Sequence, residues 1–189
     1  LYFKFHVDPL SDVSTEEYFA AFELFEGETR RLAVGNATIP WGYSAFHTSE
    51  NGELNTVPGD FDLHSSRPES TALGVFRRYE RPRRGNERTL IFKVQYVAGE
   101  DDFVTVWLSP DLSAGATEAS QPENLTTRFK ANCSFNEIHL RHGGGGDGWT
   151  FSDMAIATSF DDFVVSSGLE PAAATPVAGR GSLSFTFRS

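Results

Sequence analysis

The stretch "LYFKFHVD", residues 1 to 8, alternates its side chains with a period of two. Leu1, Phe3, Phe5 and Val7 share one face, and Tyr2, Lys4, His6 and Asp8 share the other. Only an extended chain separates such residues cleanly onto two faces, so the stretch reads as a half-buried β-strand. "SLSFTFRS" repeats the pattern, with Leu183, Phe185 and Phe187 opposite Ser184, Thr186 and Arg188. These two strands are expected to pair in one sheet, because compact domains tend to bring their ends together.

More short runs lie between them. "STEEYFAAFELFE", residues 14 to 26, fits either a capped helix, with Ser14 and Glu17 as a capping box, or a strand. Its aromatic density favours the strand. "RRLAVGN", "GYSAFHTS", "TALGVFRRYE", "TLIFKVQYVAG" and "DFVTVWLSP" read as further strands. Leu90, Phe92, Val94 and Tyr96 line one face of the fourth, and Val104, Val106 and Leu108 oppose Phe103, Thr105 and Trp107 in the fifth. Asn51-Gly52 marks a hairpin turn, and residues 99 to 102 form a hairpin loop. "DLSAGATEASQPENLTTRF" reads as a long polar connection. "FNEIHLRHG" and "WTFSDMAIATS" are two strands flanking four consecutive glycines, with Met154 and Ile156 expected to face the core. Residues 166 to 181 read as a flexible loop or linker before a final strand.

Nine to twelve short strands and no long helix predict a two-sheet sandwich or a barrel. The 17 phenylalanines and 17 glycines suit strands and turns, and 189 residues suit one domain over positions 1 to 189. The net charge of -10 disfavours nucleic acid and anionic membranes as partners. No apolar run is long enough to insert in a membrane. The single cysteine, Cys133, allows no intrachain disulfide and reads as a small buried residue. The chain reads as a piece of something larger, because it opens directly in a strand without an initiator methionine.

Two segments carry a resemblance. "FKVQYVAGEDDFVTVWLSPD" places Phe92 to Tyr96, Gly99, Asp101, Val104 to Leu108 and Pro110 in a strand-turn-strand pattern. "SFNEIHLRHGGGGDGWTFSDMAIATSFDDF" places Phe135, Ile138, Leu140, Gly143 to Gly146, Asp153, Ile156, Thr158 and Phe160 around a glycine-rich loop. Both resemble concanavalin A-like, laminin-G-like jelly-roll domains of bacterial secreted proteins, over roughly residues 1 to 165. The resemblance implies an all-β, two-sheet antiparallel jelly-roll sandwich, secreted or cell-surface, attached to other domains of a parent protein. It also implies that Asp153 is structural and accepts hydrogen bonds from loop backbone. "RRYERPRRGNER", residues 77 to 88, departs from the pattern.

The glycine stretch lacks the Lys-Ser/Thr ending of a phosphate loop and the spacing of a dinucleotide fingerprint. It reads either as a hairpin connection or as a ligand-binding rim. In the rim, Trp149 would stack on a sugar while Asp147 and His142 supply hydrogen bonds. Trp41 and Tyr79 are further stacking candidates, whereas Trp107 reads as packing. Arg81, Arg83 and Arg84, within the arginine-rich stretch, match sulfate or carboxylate groups of an anionic polysaccharide. Calcium is the cofactor the resembled group sometimes carries, with Asp101, Asp102 and Asp147 as ligands, and Asp161 and Asp162 as further acids. No D-x-D-x-D-G array assembles them.

Catalysis finds little support. The Glu-x-Asp-x-x-Glu strand motif of retaining glycan hydrolases is absent. "NEIHLRH" is similar to a polysaccharide-lyase strand, but Glu137 stands where glutamine belongs, and His139 reads as a surface residue. The expected function is a non-catalytic, lectin-like glycan-binding module. Two other classes remain open: a structural or protein-binding adhesion module, and a diverged lyase or glycoside hydrolase.

Overall fold

A computed structural model describes residues 1–10, 19–36, 43–48, 54–56, 87–143 and 148–166. Within them lie ten strands: β1 (Tyr2–Pro9), β2 (Phe19–Glu26), β3 (Thr29–Asn36), β4 (Ser44–Thr48), β5 (Leu54–Thr56), β6 (Arg88–Gln95), β7 (Asp102–Leu108), β8 (Thr126–Ala131), β9 (Glu137–Gly143) and β10 (Trp149–Ala157). They form two antiparallel five-stranded sheets. Sheet A runs β10-β1-β6-β7-β8, and sheet B runs β5-β4-β3-β2-β9. The sheets face each other across one apolar core, so the domain is an all-β sandwich.

The period-two patterns decide which side chains meet. Phe3, Phe5 and Val7 of β1, Leu90, Phe92 and Val94 of β6, and Val104, Val106 and Leu108 of β7 all point inward from sheet A. Ala20, Phe22, Leu24, Leu32 and Val34 answer from sheet B. Phe3 stacks on Phe92 at 4.6 Å, and Phe22 sets its edge against both, at 5.7 and 5.4 Å. Each ring so buried contributes roughly 1.5–3 kcal/mol, and this cluster ties the sheets together. Cys133 is buried in the same core.

Glycine geometry fixes sheet B. Gly27, at φ 59°, turns β2 directly into β3. Gly35 lies at φ 140°, where an added Cβ would overlap the carbonyl oxygen of Ala20 on β2. Neither position suits an L side chain.

Several expectations are corrected. The chain between Leu108 and Phe129 is not one loop: two short 3-10 turns lead into β8, whose Thr127 and Ala131 are buried. The glycine stretch does not close a hairpin, because β9 belongs to sheet B and β10 to sheet A; the chain crosses between sheets there. Tyr96 leaves the inward row of β6 and is half exposed, at 49%. Met154 and Ile156 are 38% and 39% exposed. They sit on β10, the edge of sheet A, next to a bulge between Lys4 and His6 of β1. Asp153 occupies that bulge at φ 49° and pairs with Lys4 at 2.6 Å; among the described residues no loop amide donates to it. The strands foreseen in "TALGVFRRYE" and "SLSFTFRS", the capping box and the Asn51-Gly52 turn lie outside the described residues.

Candidate functional site

The outward face of sheet A has a covered part and an open part. Register places Lys4, Ile91 and Trp107 in one cross-strand row. The segment after β10 folds over that row: Phe160 meets Trp107 edge-on at 5.4 Å, and Val165 N–H donates to the Leu112 carbonyl at 2.9 Å. Tyr2, Ile91, Trp107 and Phe160 thus form a second apolar cluster outside the main core. Trp107 is sheet-face packing, as its sequence position suggests.

Beside the cluster, the Tyr2 hydroxyl donates to Glu118 Oε2 at 2.7 Å, and Lys93 Nζ lies 3.0 Å from Glu118 Oε1. Burial, with the Glu118 bond behind it, raises the Tyr2 phenol above its ordinary value. Burial pulls Lys93 down, but its bonds to Glu118 and Tyr2 outweigh that and leave it raised.

The open part lies across β6, β7 and β8. Gln95, Phe103 and Lys130 form one row, and Lys93, Thr105 and Arg128 form the next. Phe103 is 46% exposed although it sits mid-sheet. Lys130 Nζ stands 4.7 Å from the centre of its ring and 3.7 Å from Glu100 Oε2. Arg128 pairs with Glu123. An exposed aromatic ring is thus presented beside cations that are each held by a carboxylate.

The outward face of sheet B is different. Glu23 alternates with the core residues Phe22 and Leu24, yet it is fully buried. Its carboxylate accepts a hydrogen bond from Arg30 Nη1 at 2.8 Å and forms an ion pair with Arg141, whose Nε lies 3.1 Å away. Ala21 and Ala33 on the same face are also closed to solvent. Towards the edge, His139 stacks on Phe25 at 4.3 Å and places Nε2 2.8 Å from Glu137 Oε2. His139 is therefore tied into surface packing.

Of the glycine-rim residues, Trp149 and His142 lie within the described residues. Trp149 is buried in the main core, so its ring faces are packed and offer no stacking platform. The reason is register: Trp149 pairs with Pro9 on the inward side of β1, and the chain enters β10 there from sheet B. His142 is exposed on β9. Asp147, Trp41, Tyr79, Arg81, Arg83 and Arg84 lie outside the described residues.

Of the acids proposed for calcium, Asp101 and Asp102 lie within the described residues. Asp102 is buried, with Oδ1 accepting the Val97 amide at 3.0 Å and Oδ2 the Cys133 amide at 3.0 Å. Asp101 beside it is exposed. Asp162 caps a short turn by accepting the Ser159 amide at 3.2 Å. Among the described residues, no three His, Cys, Asp or Glu side chains gather to hold a metal ion. The described acids thus do not fit calcium, which needs six to eight oxygens around one point.

Phe103, Lys130 and Arg128 were not singled out by sequence. Phe103 carried a signal, since alternation already put it opposite Val104 and Val106. Its neighbours did not, because β8 was hidden inside a polar stretch. Comparison with protein-family models, curated proteins and solved structures found no match.

Proposed function

We propose that this chain is a non-catalytic, lectin-like carbohydrate-binding module of a larger secreted or surface protein, with the sandwich connected as a concanavalin A-like jelly roll. The observation that supports it best is Phe103, an aromatic ring left 46% exposed between two flanking strands and beside hydrogen-bonding side chains. Sugars are recognised in this way: the ring takes the C–H face, and polar neighbours take the hydroxyls. The arginine-rich stretch supports, by its sequence, a second contact with acidic sugars. Shallow sites of this kind gain strength from neighbouring modules.

Affinity electrophoresis through gels carrying individual polysaccharides tests the reading. The wild-type chain is expected to be retarded by at least one glycan, and Phe103→Ala to run unretarded. A folded protein that migrates freely in every gel would move the reading to a protein-binding module. For that second reading the specific observation is the apolar pair Met154 and Ile156, exposed on β10, the outermost described strand of sheet A.

A further inference from the structure

We infer that the open quadrant around Phe103 takes a neutral, hydroxyl-rich polysaccharide, not an acidic one. This rests on the glycan-binding reading and assigns the ligand class of that site. Lys130 stands over the ring, Arg128 and Lys93 occupy the adjacent row, and each cation is matched by a carboxylate: Lys130 with Glu100, Arg128 with Glu123, and Lys93 with Glu118. The quadrant is therefore close to neutral, although it looks basic if only the sheet residues are read.

An acidic glycan would have to compete with Glu100 and Glu123 for their cations. It would also approach a chain of net charge -10. A neutral sugar meets neither obstacle. Its hydroxyls both donate and accept, and the quadrant offers ammonium and guanidinium donors beside carboxylate acceptors, with Gln95 and Thr105 able to do both. The three strands span about 10 Å and the two rows lie about 7 Å apart, enough to seat a sugar on Phe103 with its chain neighbours over the ion pairs.

The experiment is titration calorimetry of the full chain with a neutral β-glucan, a neutral mannan, alginate and heparin, at low and high salt. Phe103→Ala and Phe103→Tyr are measured beside the wild type, with circular dichroism to verify folding. The expected result is binding to a neutral polysaccharide that salt leaves unchanged. It should weaken about tenfold in Phe103→Ala and survive in Phe103→Tyr. Binding only to alginate or heparin, lost in high salt, overturns this inference and leaves the glycan-binding reading standing. Neutral binding unaffected by Phe103→Ala overturns the assignment of the site. Absence of binding to all four, by a folded chain, overturns both.

Discussion

Two buried carboxylates show what single residues contribute here. Asp102 joins the start of β7 to two segments, by bonds reaching 5 and 31 residues along the chain. Asp102→Ala is expected to cost about 3 kcal/mol, since two buried amides lose a charged acceptor; urea unfolding measures it. Glu23→Ala removes the carboxylate shared by Arg30 and Arg141. It should also cost about 3 kcal/mol, the low end for a broken buried pair, because Arg141 is 42% exposed. Next to Asp102, burial first, and then the charges of Asp102 and Asp101, push the Cys133 thiol up to about 12. Burial, with Cys133 and Asp102 behind it, pushes Tyr96 up to about 12. Both groups stay protonated in the folded chain, whereas unfolding returns them to 9.0 and 10.0. Their contribution to stability is therefore intact below pH 9 and is lost as pH rises towards 12. Iodoacetamide at pH 8 should leave Cys133 unmodified until urea unfolds the protein, and mass spectrometry reads this directly. The burial of Cys133 was legible from its residue type, a lone cysteine beside a strand run. The task of Asp102 was not, because its acceptors' partners are set by tertiary placement.

At the scale of strands, alternation was a sound guide wherever both neighbours were present. β1, β6 and β7 have strands on either side, and their Phe and Val rows point inward as the period demands. The guide weakened at the edges. β8 pairs with β7 alone, and its "TTRFKA" carries too little apolar contrast to stand out from the polar stretch before it. On β10 the bulge at Asp153 inserts an extra residue, and Ile156 beyond it pairs with the inward-facing Phe3 yet stays 39% exposed, because β10 has a described strand on one side only. The bulge and the Lys4–Asp153 pair also make that edge a poor template for another strand. Within sheet B, Gly35→Ala should destabilise by about 1–3 kcal/mol or more, because both its φ and the adjacent Ala20 carbonyl oppose a side chain. Thermal unfolding measures that loss, and a neutral Gly35→Ala would mean that β2 can move away from β3.

For the whole molecule, the sequence carried the fold class through its many short alternating runs, but not the sheet to which each strand belongs. The glycines between β9 and β10 illustrate the gap: residue content suggested a turn, whereas the partners of the two strands, β2 and β1, place them in different sheets. The arrangement of sheet A has a consequence in time. β1 ends at Pro9, but its two neighbours, β6 and β10, begin at Arg88 and Trp149. Sheet B can assemble early, since β2, β3, β4 and β5 pair with their neighbours in sequence. A ribosome adding about 5–20 residues per second leaves β1 without its second partner for on the order of ten seconds. During that interval Phe3, Phe5 and Val7 have no complete sheet to enter. Nascent chains halted before β10 should therefore be cleaved readily by protease within β1, and full-length chains should protect it; the last described strand of sheet A to be made is the one that shelters the first.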